Sequence, residues 1–205
     1  MLGVYDYTVV LTYISLAVSV VGMINCMNGN LRISILLLAV SGLCDMFDGK
    51  IARTKKNRTD IEKRFGIQID SLCDVICFGM FPILICYQLG MRNIFEMIIL
   101  CLYAVASVIR LAWYNVMEEI RQNEEEDVRH FYQGLPITSM AVILPFFYLI
   151  RKPLGVHFVY ILSVAVVIVG ILFISNIRVK KPQNPILILM VAMIAMALAK
   201  MFHLI

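Results

Sequence analysis

Long apolar blocks broken by short polar stretches dominate this chain. They fall at roughly 8–27, 33–49, 67–90, 93–117, 136–150, 156–176 and 184–204. Most approach the ~20 residues that a helix needs to cross about 30 Å of hydrocarbon. The block at 136–150 is short, so the pattern predicts an all-α, polytopic integral membrane helical bundle with six or seven transmembrane helices. The 205 residues read as one membrane domain, with a core at about 5–150 and C-terminal spans at about 156–205.

Composition agrees with the pattern. At 61% hydrophobic and 16% charged, the chain carries more apolar surface than a soluble domain of its size could bury. No basic stretch precedes the first apolar block, so a cleavable leader is not expected. With the N-terminus in the cytoplasm, the polar loops near 50–64, 117–134 and 177–183 share that side. They hold twelve lysines and arginines against five opposite, which satisfies the positive-inside rule. The net charge of +4 therefore needs no nucleic-acid partner. The acidic stretch Glu118–Arg129 reads as a solvated loop or helix extension.

Four acids interrupt this apolar background. Asp45-Met-Phe-Asp48-Gly49-Lys-Ile-Ala52-Arg53 is followed, after twelve residues, by Gly66-Ile-Gln-Ile-Asp70-Ser-Leu-Cys-Asp74. Spacings of i, i+3 and i, i+4 put each pair on one helix face, together with the small residues Gly49, Ala52 and Gly66. Carboxylates at membrane depth are costly and mark function. One alternative is an ion network with Arg53, Lys63 or Arg64. The other is a site for hard divalent cations, since four carboxylates can hold two ions of magnesium, manganese or calcium. Two cations beside space for a ligand suit phosphoryl transfer. The six cysteines, all in or beside apolar blocks, read as packing residues. Cys73 and Cys77, one turn apart, leave a soft-metal reading open.

The pattern Asp-x-x-Asp-Gly-x-x-Ala-Arg, then Gly-x-x-x-Asp-x-x-x-Asp, resembles the signature of the CDP-alcohol phosphatidyltransferase family. Asp45, Asp48, Gly49, Ala52, Arg53, Gly66, Asp70 and Asp74 match every position, although the gap between Arg53 and Gly66 is longer than usual. The stretch Arg64–Gly79, with Arg110-Leu-Ala-Trp-Tyr-Asn115-Val and Gly134-Leu-Pro136, is similar to the phosphatidylserine synthase branch. The resemblance covers roughly residues 5–150.

This resemblance implies transfer of the phosphatidyl group from CDP-diacylglycerol to L-serine, with release of CMP, by a membrane homodimer whose site opens at the cytoplasmic side. It implies that Asp45, Asp48, Asp70 and Asp74 bind divalent Mn2+ or Mg2+, two ions in all, and that Asp74 is the general base. Asp45, Asp48, Gly49, Ala52, Arg53, Gly66 and Asp70 would hold the CDP-lipid, with Arg53 gripping a phosphate. Arg110, buried mid-block, is expected to face the site, where the serine carboxylate and Asp70 or Asp74 are rival partners. Asn115 and Gln68 are candidates for serine or for an interhelical hydrogen bond.

Other positions read as structural. His130, His157 and His203 suit loops or interfaces, while Tyr5, Tyr7, Trp113, Tyr114 and Tyr132 suit an aromatic belt. The basic loop 50–64 could also attract anionic headgroups or the nucleotide. Two rival classes remain, a membrane prenyltransferase and a divalent-cation transporter, and neither gives Gly49, Ala52 and Arg53 a role.

Overall fold

The first helix, α1 (Tyr7–Met27), turns its small and hydroxyl-bearing residues inward: Thr8, Thr12, Ser15, Ser19, Gly22 and Cys26 are buried. Val10, Ile14, Val21 and Ile24 point outward. In lipid this is the expected polarity, because burying an apolar side chain gains little where the surroundings are already hydrocarbon, whereas small residues let backbones approach. The computed structural model describes residues 3–52, 54–55, 57–124 and 131–180.

Helix α2 (Leu31–Ala52) lies against α1 along that seam. Ser15 and Ser41 share a hydrogen bond at 2.8 Å, Ser19 donates to the Ser41 hydroxyl at 2.8 Å, and Ser15 lies 3.9 Å from the Cys77 sulfur. Gly42 of α2 packs so closely on Ala141 that a Cβ there would sit 2.4 Å from the alanine Cβ.

The third apolar block begins earlier than its hydrophobicity predicts. Helix α3 (Asp60–Asp74) starts with a capping box, in which the Thr59 hydroxyl accepts from Glu62 N and the Glu62 carboxylate accepts from Thr59 N. Polar residues of the long Arg53–Gly66 gap thus enter the helix instead of forming loose loop. After Asp74 the helix widens into a π-helical turn, Val75–Met80, and continues as α4 (Phe81–Gln88). Pro82 has no N–H to offer the Phe78 carbonyl, and the Tyr103 hydroxyl donates to that carbonyl at 2.6 Å. Tyr103 belongs to α5 (Ile94–Glu124), so this bond ties the widened turn to the next rod.

Helices α6 (Met140–Leu154) and α7 (Phe158–Ile174) form a hairpin that turns at Gly155, φ +52°. Helix α6 packs on α2 and α7 on α5. The hairpin is closed by Leu135 N donating to Leu172 O at 3.0 Å and Gly134 N to Ile177 O at 2.7 Å. Gly134 has φ +73°, and a Cβ on it would meet the carbonyls of Phe173, Leu172 and Ser175 at about 3 Å, so only glycine fits between them. A short antiparallel pair, β1 (Phe131–Gln133) with β2 (Arg178–Lys180), extends the clip and is the one departure from an all-helical chain among the described residues.

The described residues therefore hold six helical rods: α1, α2, the α3–α4 rod, α5, α6 and α7. Four stretches are by themselves long and apolar enough to span, namely Tyr7–Met27, Asp60–Gln88, Ile94–Ile120 and Ile137–Ile174, the last containing both α6 and α7. Helix α2 falls outside that group because every 18-residue stretch of it carries three of the charged residues Arg32, Asp45, Asp48 and Lys50. The architecture is the expected membrane helical bundle; the seventh block, 184–204, lies outside the described residues.

Tyr103→Phe deletes the donor that compensates for Pro82 and strands a buried carbonyl. It is expected to lower stability by about 1–3 kcal/mol. A thermal melt of the detergent-purified protein, monitored by circular dichroism, checks this.

Candidate functional site

The acids converge because α2 and α3 both pack on α1. One oxygen from each of Asp45, Asp70 and Asp74 lies within 4.8 Å of the others. Asp45 and Asp74 are within hydrogen-bonding range of one another, as are Asp48 and Asp70. Asp48 is buried, and its Oδ2 accepts from Thr12 of α1 at 3.1 Å. Asp45, Asp70 and Asp74 are half-buried. Like charges this close repel strongly where water is scarce, and a divalent cation relieves the repulsion.

The donor set fits such an ion. Metal–oxygen bonds of about 2.0–2.6 Å allow oxygens on opposite sides of one ion to stand about 4–5 Å apart. Oxygen-only donors select magnesium, manganese or calcium over softer metals. Cys73 and Cys77 are not part of the cluster, and Cys77 sits in the serine seam instead. Two of the basic residues weighed as structural partners are engaged elsewhere: Lys63 with Asp60 at 3.7 Å, and Arg64 with Glu119 of α5 at 2.9 Å.

The small residues flank this cluster. Gly49 is exposed and Ala52 half-buried at the end of α2, while Arg53 lies outside the described residues. Gly66 stands one turn before Asp70 on the same face of α3, and the Arg58 guanidinium occupies the space its missing side chain leaves. Asn115 and Gln68 prove to be interhelical partners. Ser71 donates to Asn115 Oδ1 at 2.6 Å, and Asn115 Nδ2 donates to Gln68 Oε1 at 3.3 Å, locking α5 to α3 beside Asp70.

Arg110 is 7% exposed and lines a cavity of about 330 Å3 between α5 and the end of α7, with Trp113, Phe173, Ser175 and Asn176. On the α5 wheel it falls between Ala106 and Trp113, on the side of α7, and Ser107 and Leu111, toward α3 and the π-helical turn. Along the axis, Tyr103 meets Phe78 and Asn115 meets Ser71, so Arg110 stands near the level of Asp74.

Two features are not foreshadowed by the sequence pattern. Thr12 touches an acid 36 positions away, and its only signal is the periodic polar face Thr8, Thr12, Ser15, Ser19 within an apolar block. The second is a clasp on the loop between α2 and α3. Lys55 pairs with Asp6 at 2.7 Å and Glu62 at 2.8 Å, and Thr54 donates to the Tyr7 hydroxyl at 3.2 Å. Lys55, with help from Thr8, holds the Asp6 carboxyl down to about 2, and the same pairings raise Lys55.

Together these observations describe a polytopic membrane protein with a half-buried, all-carboxylate cluster whose geometry could hold a divalent cation. The family model for CDP-alcohol phosphatidyltransferase matches residues 8–175. The chain belongs to the CDP-alcohol phosphatidyltransferase family. It is 32% identical over 116 residues to the CDP-diacylglycerol–serine O-phosphatidyltransferase of Saccharomyces cerevisiae, covering 55% of this chain and 41% of that protein. It is 31% identical over 172 residues to the enzyme of the same name from Methanocaldococcus jannaschii, covering 82% and 75%. It is 32% identical over 123 residues to the archaetidylserine synthase of Methanothermobacter thermautotrophicus, covering 60% and 48%. The chain spans about half the length of most of the curated relatives it matches.

Thr12→Val keeps the shape of the side chain but removes the hydrogen bond to Asp48. It is expected to weaken Mn2+ binding about tenfold, as loss of an outer-shell partner does, and calorimetric titration of the purified protein reads this directly.

The clasp has a defined pH window. A carboxyl depressed from about 3.9 in the unfolded chain to about 2 stabilises the fold above the higher value, and loses that contribution as pH falls toward the lower. In Lys55→Met, the unfolding midpoint should lose the part of its acid dependence that lies between about pH 4 and 2, with no added slope from pH 5 to 8.

Proposed function

We propose that this protein transfers the phosphatidyl group of CDP-diacylglycerol to the hydroxyl of L-serine, releasing CMP and leaving phosphatidylserine in the bilayer. The observation that carries the reading is the convergence of Asp45, Asp70 and Asp74 in a chain of this family. Serine recurs in the names of the relatives while the lipid varies, which supports serine as the acceptor.

The chemistry is displacement at phosphorus. The serine oxygen forms a bond to the phosphorus that carries diacylglycerol, the bond from that phosphorus to the CMP oxygen breaks, and CMP leaves with the electron pair. A serine hydroxyl is a weak nucleophile until its proton is taken, and Asp74, at the end of α3, is the carboxylate assigned to take it. Asp45, Asp48, Asp70 and Asp74 would hold Mg2+ or Mn2+, two ions in all, which when bound offset charge on the diphosphate and on departing CMP. Thr12 keeps Asp48 turned inward. Gly49 and Ala52 leave room for the nucleoside beside α2, and Gly66 and Arg53 belong to the same CDP-lipid site.

Arg110, which lines the α5–α7 cavity near the level of Asp74, is assigned to the serine carboxylate. Asn115, engaged by Ser71 and Gln68, supports that wall of the site through the α3–α5 lock. The excess of basic residues in the loops around the acids supports a site that opens on the cytoplasmic side, and the family resemblance supports a homodimer.

CMP release from CDP-diacylglycerol, measured with and without serine and Mn2+, tests the whole reading. Release should require both, and no release with any alcohol would exclude the transferase. Release with glycerol 3-phosphate or inositol phosphate but not serine would keep the reaction class and replace the acceptor. Asp74→Asn should lower kcat about 10²–10⁴-fold while nucleotide-lipid binding persists. Arg110→Ala should raise the KM for serine and leave that for CDP-diacylglycerol unchanged; the reverse pattern would remove the arginine from the acceptor pocket.

A further inference from the structure

Arg58 arrives at the carboxylate site from a loop that is pinned in place. Three residues before it, Lys55 is held by both Asp6 and Glu62, and one residue after it Thr59 caps α3. Its guanidinium lies across Gly66: a Cβ on that glycine would stand 2.6 Å from Nη2. Gly66 and Asp70 are one turn apart on the same face, about 6 Å along the axis. The guanidinium therefore sits at the outer edge of the acidic cluster.

The contacts of this side chain are incomplete. Nη2 donates to the Glu62 carbonyl at 3.1 Å, whereas Nε is buried and meets no acceptor among the described residues. The nearby carboxylates serve other groups: Glu62 takes Lys55 and Thr59 N, and Asp60 faces Lys63. A buried N–H on a permanently charged group is costly to leave unpaired. An anion bound at the Gly66 face would meet Nη2 there, and a phosphate offers two oxygens to such a fork.

We propose that Arg58 is a substrate-binding residue that holds a phosphate group of the nucleotide at the outer end of the carboxylate cluster. The proposal rests on the CDP-lipid reading above and adds to it a residue from the long gap that the family signature leaves unspecified. Gly66 then serves the same purpose, because any larger side chain there would push the guanidinium off the site face.

Titration of the detergent-purified full chain with CMP in the presence of MnCl2 tests the assignment. Arg58→Ala should weaken CMP at least about tenfold, Arg58→Lys should restore part of the loss, and Gly66→Ala should weaken CMP with the guanidinium still present. Mn2+ binding without nucleotide should be unchanged in Arg58→Ala. Unchanged CMP affinity with tighter Mn2+ binding would make Arg58 a mere neutraliser of the aspartates and overturn the proposal. Intact CMP affinity with lost retention of phosphatidylglycerol in mixed micelles would assign the arm to lipid headgroups and also overturn it. Wild-type protein that binds no CMP would remove the underlying CDP-lipid reading, whereas equal CMP binding by wild type and Arg58→Ala would remove this inference alone.

Discussion

Repulsion between carboxylates is the constraint around which the rest of this bundle is arranged. Asp45 and Asp48 come from one helix, Asp70 and Asp74 from another, and packing brings them within reach of one another in a bundle of membrane character. No apolar side chain can offset that cost. A hard divalent cation can, and the protein then gains a charge that a phosphate will seek. Such a cluster is an instability that a bound cation would relieve.

What holds the acids together against that repulsion is a seam of small and hydroxyl-bearing residues. Ser15, Ser19 and Ser41 bond across α1 and α2, Gly42 admits α6, and Thr12 reaches Asp48. Hydrocarbon surrounds the bundle, so apolar burial supplies little of the drive for helix association, and close backbone contact with satisfied hydroxyls supplies more. Past Asp74, the π-helical turn shifts the register between the acidic face of α3 and the apolar faces of α4. Tyr103 compensates the carbonyl that Pro82 cannot reach and binds α5 to that turn. Placement of such a widened turn directly after a catalytic candidate agrees with the tendency of π-turns to sit at functional sites.

The loop between α2 and α3 shows how a polar segment contributes order. Thr59 and Glu62 start α3 a full turn and more before the hydrophobic block, Lys55 ties that start to Asp6, and Arg58 is carried onto the Gly66 face. A basic loop that serves the positive-inside rule is thereby also pinned against the acidic face of α3.

Much of this was legible in the chain. Block lengths determined a helical membrane bundle, because a span of about 20 apolar residues satisfies its backbone in lipid as a helix, whereas a barrel strand needs only about half that length. The spacing of Asp45, Asp48, Asp70 and Asp74 determined which acids share a face, because helix periodicity is local. The choices among partners were not local. That Asn115 locks to Ser71 and Gln68, that Lys63 and Arg64 pair away from the cluster, that Thr12 supports Asp48 and that Arg58 covers Gly66 all depend on how the segments fold over one another. Only the packing of the helices decides such contacts, since each depends on rotation and depth that a one-dimensional pattern does not encode.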